Sequence, residues 1–179
     1  NPYNYRNKAQ YPIGTDKNGN KVLGVFAKRT HEIIPIEDCQ IQKEVSYQIA
    51  KYILEYIKEN NISVYNEKKQ KGLVRHIITK VGVQTDEIMC IIVINGKEIP
   101  NELTLANNII DRFPNVKTVV KNINTKNTNV IMGDKNKTIK QEETTTPVKQ
   151  LAVDTNKVAQ TSENDIQTNL ENILTNIDG

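Results

Sequence analysis

The first 39 positions alternate between hydrophobic and polar residues in the pattern of short β-strands. Strands are predicted over Tyr5–Ile13 and Lys21–Lys28. The Asn-Gly pair at positions 18–19 favours a tight turn between them, because both residues adopt positive φ readily. A third short strand is predicted over His31–Ile36, and its Pro35 favours a sheet edge. The chain is therefore expected to open on a β-hairpin.

The spacing of apolar residues then changes to the helical period. Amphipathic helices are predicted over Ile41–Asn60 and over Asn101–Phe113, the second stopped by Pro114. Four more strands are predicted, over Leu73–Val81, Glu87–Ile94, Lys117–Asn124 and Thr128–Met132. This order predicts an α+β fold, in which two main helices pack on a small antiparallel sheet that begins with the hairpin.

The composition changes at about Lys140. Residues 140–164 are rich in Thr, Gln and Asn and have no repeating apolar face, so they are expected to be mobile. Apolar residues return at helical spacing over Asp165–Ile177, which predicts one short helix whose stability would depend on a partner surface. We therefore expect a domain over residues 1–139 and a disordered or weakly helical tail over 140–179.

Charge follows the same division. Residues 1–139 hold 21 Lys and Arg against 14 Asp and Glu, a net charge of +7. Residues 140–179 hold three basic and seven acidic residues, a net charge of −4. A basic body with a separate acidic tail favours a polyanionic partner. A merely solvated surface is the alternative, and charge alone slightly favours that alternative.

Targeting signals and disulfides are not indicated. No apolar run is long enough to span a bilayer, and the start lacks the pattern of a secretory signal, so we expect a cytoplasmic protein with no membrane partner. Nothing in the sequence indicates a protein partner. The two cysteines do not form a CxxC pair or a disulfide framework. Because the first residue is not Met, we expect a piece of a longer protein.

An ordered series of motifs resembles one enzyme family. YRNKAQYPIG at Tyr5–Gly14 and GVFAKRTHEIIPIEDCQIQ at Gly24–Gln42 begin the series. KGLVRHI at Lys71–Ile77, EIMCIIVINGKEIP at Glu87–Pro100 and VVKNINTKNTNVIMGDKNKTI at Val119–Ile139 continue it. Together they resemble the S-adenosylmethionine-dependent RNA (uracil-5-)-methyltransferases of the RumA/TrmA type, which include 23S rRNA enzymes. Each motif alone would be weak, but their order and spacing make the resemblance specific over residues 1–139.

The resemblance implies a place within a larger enzyme. The family is built from an RNA-binding module, a central domain and a Rossmann-like methyltransferase domain, and residues 1–139 match the central domain. S-adenosylmethionine and, in some members, a 4Fe–4S cluster are therefore expected cofactors of an intact parent, and neither is expected in this fragment. No Gly-rich loop after a strand is present, and no catalytic residue is assigned.

The same resemblance implies roles for five residues that would bind ribosomal RNA. Arg6 and Lys8 alternate along the predicted first strand, so they would share one face with Gln10 beyond them. The family's basic residues in this motif contact RNA, and Lys28 with Arg29 could extend the same surface. Without the resemblance, these residues would be interpreted as solvated cations on an exposed strand.

Cysteine and histidine residues give one further candidate. Cys39 matches the family's last cluster ligand, so the resemblance implies 4Fe–4S ligation in an intact parent only, because one thiolate cannot hold a cluster. The alternative for Cys39 is a small buried residue before a helix. Cys90 is predicted to be core, and His31 and His76 are interpreted as strand residues rather than catalytic groups.

Two functions of different class remain open. The first is a fragment of an RNA (uracil-5-)-methyltransferase, inactive by itself, that helps to bind and position 23S rRNA. The second is a stand-alone RNA-binding module without enzymatic activity. A methyl-transfer assay on the chain separates them.

Overall fold

A computed structural model of the protein describes residues 2–142. These residues form a seven-stranded sheet with two helices packed on one of its faces. The strands are β1 (Lys8–Thr15), β2 (Lys21–Phe26), β3 (Ile33–Pro35), β4 (Val74–Val81), β5 (Ile88–Ile94), β6 (Val116–Ile123) and β7 (Lys135–Gln141). The helices are α1 (Glu44–Glu59) and α2 (Glu102–Arg112).

The sheet is mostly antiparallel, which confirms the predicted α+β class. Its strand order is β3-β2-β1-β4-β5-β6-β7. The exception is the parallel pair β5–β6, where α2 forms the crossover that a parallel connection requires. The antiparallel sheet expected from the sequence therefore contains one βαβ unit. No helix within residues 2–142 is long and apolar enough to cross a membrane.

The main core lies between the sheet and the helices. In α1, Ile49, Ile53 and Ile57 recur every four residues and are buried on the sheet, as the helical spacing predicts. Leu105 and Ile109 do the same for α2. Each fully buried Ile or Leu side chain contributes roughly 1.5–3 kcal/mol through removal of apolar surface from water. Burial of these faces therefore holds both helices on the same side of the sheet.

The opposite side of the sheet carries no helix. Strand alternation places Lys8, Gln10 and Pro12 of β1 and His76, Ile78 and Lys80 of β4 on this side, which we call the open face. A second apolar cluster lies there, made of Ile78, Ile91, Val93 and Val120. Ile131 and Met132, from the loop between β6 and β7, pack against that cluster. The open face thus has an apolar centre with cations at the end of β1 and β4.

The strand predicted over Thr128–Met132 is wrong, and β7 lies at Lys135–Gln141 instead. The backbone groups of this segment form hydrogen bonds with two asparagine side chains instead of with a neighbouring strand. Asn124 donates from Nδ2 to the carbonyls of Val130 (2.7 Å) and Ile131 (3.0 Å). Asn122 donates to the carbonyl of Gly133 and accepts from its N–H. The residues of β7 are mostly polar, so the hydrophobic pattern of the sequence did not predict a strand there.

Two of the boundaries that differ from the expected ones bear on the candidate site and on the domain. β1 begins at Lys8 rather than Tyr5, so Arg6 lies outside the strand. β7 continues to Gln141, two residues beyond the expected end of the domain at residue 139. The stretch 140–164, predicted to be mobile, begins inside β7, where Lys140 and Gln141 pair with β6, so the prediction is wrong for these two residues. Residues 143–164 of that stretch and the predicted helix over Asp165–Ile177 lie outside the described residues.

Candidate nucleic-acid interface

Two lysines meet on the open face. Lys8 of β1 and Lys80 of β4 are directly paired in the antiparallel ladder, and both are exposed. Neither forms an ion pair within residues 2–142. Like charges directly opposite each other destabilise a sheet. An anion bound at this position would relieve the repulsion, so the pair is suited to a phosphate group.

The predicted RNA-binding residues are partly brought together. Lys8 and Gln10 share the open face, as the alternation predicted, and Gln10 pairs with Ile78. Arg6 is exposed but lies before β1, where its backbone N–H donates to the carbonyl of Ile41 (3.0 Å) and it bridges Gln42. The strand argument that placed Arg6 on the same face as Lys8 therefore does not hold.

Lys28 and Arg29 form the turn between β2 and β3. The turn is closed by the N–H of Thr30, which donates to the carbonyl of Ala27 (3.0 Å). Arg29 adopts a left-handed conformation with φ of 63°. Both cations are exposed, and neither forms an ion pair in the part of the chain that the structure describes. They therefore add positive charge at the tip of this hairpin.

An aromatic cluster precedes that turn. The Phe26 ring lies 5.9 Å from the His76 ring and 5.6 Å from the His31 ring, at interplanar angles of 72° and 71°. These are edge-to-face contacts, the favoured arrangement of aromatic pairs. His31 Nδ1 also lies within hydrogen-bonding distance of a carboxylate oxygen of Glu67. Phe26 remains 36% exposed, so a ring fixed by two neighbours still presents surface to solvent.

His76 is buried without a hydrogen-bond partner. It is 4% exposed, and neither Nδ1 nor Nε2 bonds to another group of residues 2–142. Burial, with the nearby charge of Arg75, lowers the pKa of His76 to about 4, so the ring is neutral near pH 7. No local sequence pattern indicates this environment, because only the pairing of β4 with its neighbours places Phe26 over His76.

Arg75, beside His76, has a structural role. Its guanidinium stacks 4.3 Å from the centre of the Tyr65 ring. Its Nη1 donates to the carbonyls of Asn124 (2.9 Å) and Lys126 (3.0 Å). This buried cation therefore anchors the start of the β6–β7 loop and is not available to a ligand.

Lys80 was missed by the sequence analysis. Alternation within β4 sets the face of Lys80 relative to its own strand, but the sequence does not show that β4 pairs with β1. The register that brings it opposite Lys8 is a property of the sheet. Its only signal in the sequence was a Lys residue at the end of a predicted strand.

The described residues do not supply the ligands of a 4Fe–4S cluster. Cys39 is half-buried near Tyr11, whose pKa is raised by burial and by the neighbouring Cys39. Cys90 lies in the core, where burial raises its pKa to about 12. No group of three or more His, Cys, Asp and Glu within residues 2–142 could hold a metal ion. Cys39 could contribute one thiolate, which is insufficient for a cluster.

Residues 2–142 also lack a fitting site for S-adenosylmethionine. A cofactor with a nucleoside group is commonly held where a Gly-rich turn joins a strand to a helix. Among the described residues, the βαβ crossover is β5–α2–β6, and its first loop contains a single glycine, Gly96.

Comparison with known proteins finds RNA methyltransferases among the similar sequences. No protein-family model matches the chain. The chain is 43% identical over 136 residues to an uncharacterized RNA methyltransferase of Caldanaerobacter subterraneus subsp. tengcongensis, covering 76% of the chain and 30% of that protein. It is 38% identical over 143 residues to an uncharacterized RNA methyltransferase of Staphylococcus aureus, covering 80% and 32%. A homologue of the same name from Halalkalibacterium halodurans is 39% identical over 142 residues, covering 79% and 31%.

A solved structure with a similar fold is available for comparison. It is the tRNA (uracil-54, C5)-methyltransferase of Pyrococcus abyssi, crystallised in complex with S-adenosyl-L-homocysteine. The TM-score is 0.59 at 23% sequence identity, over 75% of this chain and 31% of that one. At this identity the likeness concerns the fold alone.

The sequence matches support the class of RNA methyltransferases. The chain spans about a third of the length of the curated relatives it matches. It is thus similar to one segment of these proteins, and that segment contains the sheet, both helices and the open face.

Proposed function

We propose that residues 2–142 bind and position RNA within a cytoplasmic, S-adenosylmethionine-dependent RNA (uracil-5-)-methyltransferase that acts on 23S rRNA. The chain would form the central domain of that enzyme. Methyl transfer would depend on parts of the parent outside residues 2–142, so the chain by itself would be inactive. Cys39 would serve a 4Fe–4S cluster in the parent only.

The Lys8–Lys80 pair is the observation that carries this proposal. Two exposed lysines in direct cross-strand register, without an acidic partner among the described residues, form a local concentration of positive charge. Gln10 follows on the same face and can donate and accept hydrogen bonds with a base edge or a ribose hydroxyl. The lysines can contact the phosphates of the RNA, and the Gln10 amide beside them can contact a base or a ribose. These are the two kinds of contact that RNA recognition needs.

RNA binding at several salt concentrations tests this surface. A hairpin from 23S rRNA would be titrated with the chain and followed by fluorescence anisotropy. Removal of one cation that neutralises a phosphate should reduce the slope of log K against log salt by about 0.7–0.9. We expect that reduction for Lys8→Ala and for Lys80→Ala.

The matched control is the pair Lys68→Ala and Lys69→Ala. These lysines are exposed and lie in the loop before β4, where they are not part of the β1–β4 ladder. They should leave the slope nearly unchanged. A larger effect of this loop pair than of Lys8 and Lys80, or no binding of the hairpin at all, would show that the assigned surface is wrong.

A methyl-transfer assay distinguishes the proposal from a module without chemistry. The chain alone and a longer protein containing it would be incubated with the hairpin and S-adenosylmethionine. We expect 5-methyluridine only with the longer protein. A parent that binds the hairpin but never methylates uridine would instead support the stand-alone RNA-binding function.

A further inference from the structure

The aromatic cluster at the end of β2 has features that packing alone does not account for. Phe26 is a large apolar side chain that stays 36% exposed on the helix-free side of the sheet. His31 and His76 contact its ring edge-to-face and fix its orientation. An exposed aromatic ring held in place loses little conformational freedom when a flat ligand stacks on it.

His76 supports the Phe26 ring at the same place. Its side chain is 4% exposed and both ring nitrogens are themselves buried, so a ligand on the surface does not reach them in this structure. Its edge-to-face contact holds the Phe26 ring in position. A nucleobase has a flat face that can stack on the exposed part of that ring.

Charge around the cluster indicates what the flat ligand is attached to. Lys28 and Arg29 follow Phe26 within three residues, and both are exposed. Lys8 and Lys80 lie on the same side of the sheet as Phe26. A flat base attached to a phosphate backbone would satisfy the ring and the cations together, as in proteins that bind single strands by stacking within a basic surface.

We propose that Phe26, with His31 and His76 beside it, forms a stacking site for one unpaired nucleobase of the bound RNA. This inference rests on the proposed RNA-binding function and adds a preference for single-stranded over fully paired RNA. Lys28 and Arg29 would hold the phosphates next to the stacked base.

The test uses a short single-stranded RNA with one 2-aminopurine, whose fluorescence is quenched when the base stacks. Titration with the unaltered chain should quench the probe. Phe26→Ala should abolish the quenching and weaken binding roughly 5- to 100-fold, the range of single stacking contacts. Phe26→Tyr keeps an aromatic ring and should retain most of both effects. Fully paired RNA should bind Phe26→Ala and the unaltered chain equally.

The matched control is Ile34→Ala. Ile34 lies on the same hairpin, is 50% exposed, and pairs with Val25 on the other face from Phe26. Ile34→Ala should change neither quenching nor affinity, and thermal melting would verify that each variant folds. Equal weakening of single-stranded and paired RNA by Phe26→Ala, or no quenching by the unaltered chain, would overturn the stacking site.

The outcomes also separate this inference from the proposed function. If Lys8→Ala and Lys80→Ala weaken RNA binding while Phe26→Ala has no effect, the RNA-binding surface stands and the stacking site is rejected. If the unaltered chain binds neither single-stranded nor paired RNA, both are rejected.

Discussion

Lys8 and Lys80 lie directly opposite each other in the β1–β4 ladder, although like charges in this position oppose strand pairing. The buried residues of the same two strands fix the register. Tyr11 pairs with Ile77, and both are fully buried against the helices. Packing of the core therefore imposes the meeting of the two lysines, at a small cost in stability.

We predict that Lys80→Glu changes stability and RNA affinity in opposite directions. An opposite charge facing Lys8 should stabilise the fold by roughly 0.2–1 kcal/mol, since it replaces a repulsive cross-strand pair with an attractive one. The same change should weaken RNA binding, because a carboxylate would then face the phosphates. Urea denaturation at low salt and anisotropy titration measure the two effects.

Lys68→Glu is the control for that prediction. The side chain is exposed in the loop before β4 and has no cross-strand lysine opposite it. It should leave the stability and the RNA affinity nearly unchanged. If Lys80→Glu weakened both properties together, the repulsion would not be a real feature of the native sheet.

We predict that His76 makes the protein less stable as the pH falls from about 6.5 to about 4. Its folded pKa of about 4 is below the ordinary value of 6.5, so the unfolded chain binds the proton first. The contribution of neutral His76 to the free energy of unfolding is fully present above pH 6.5 and is lost as the pH falls to about 4. The difference corresponds to about 3 kcal/mol in the free energy of unfolding.

His76→Leu should remove this contribution. Its free energy of unfolding should be at least as large as that of the unaltered chain at pH 7, because two unpartnered nitrogens are removed. Between pH 7 and pH 4, the free energy of unfolding of His76→Leu should fall by about 3 kcal/mol less than that of the unaltered chain. Gln10→Leu, on the same face without a titrating group, should follow the pH profile of the unaltered chain. Parallel profiles for His76→Leu and the unaltered chain would contradict a neutral buried histidine.

We predict that the ion pair between Lys121 of β6 and Glu102 of α2 stabilises the fold. Lys121 Nζ lies 2.5 Å and 2.7 Å from the two carboxylate oxygens, and its side chain is 5% exposed. Glu102→Gln would leave a buried cation without its counter-charge and should cost about 1–3 kcal/mol in urea denaturation. Lys121→Met combined with Glu102→Gln should restore most of the loss.

The exposed pair of Lys126 with Asp134 serves as the comparison. Its side chains are 67% and 81% exposed, so water and salt screen the attraction. Asp134→Asn should have no measurable effect on stability. An equally small effect of Glu102→Gln would show that burial does not strengthen the pair with Lys121.

We predict that the isolated chain does not bind S-adenosylmethionine above background. The first loop of its βαβ crossover has Gly96 as its one glycine and lacks the Gly-rich turn that cradles such cofactors. Isothermal titration calorimetry should detect no heat of specific binding. A stoichiometric micromolar complex would falsify the prediction, whatever the outcome for RNA.

The sequence by itself determined the elements whose hydrophobic period is strong. The helical spacing in α1 and α2 and the apolar runs of β4 and β5 predicted these elements close to their bounds. Local turn chemistry predicted the opening hairpin, with Gly19 at φ of 85°. These features depend on residues close together in the chain, so local patterns contain the information.

Tertiary structure decided the position of β7 and the composition of the open face. The β6–β7 segment contains Val130, Ile131 and Met132, which predicted a strand, yet side chains of Asn122 and Asn124 hold it as a loop. The polar β7 is a strand because β6 offers it a free edge. Neither outcome can be predicted from the hydrophobic period of the segment itself.

The candidate site shows the same division. Alternation along β1 correctly placed Lys8 and Gln10 on one face, since side-chain direction is a local property of a strand. Lys80 and His76 joined that site only through the register between β1 and β4, and Phe26 reached His76 only because β2 lies beside β1. Strand order and register depend on how much apolar surface is buried across the whole sheet. That total involves all seven strands, so the sequence of one segment does not determine it.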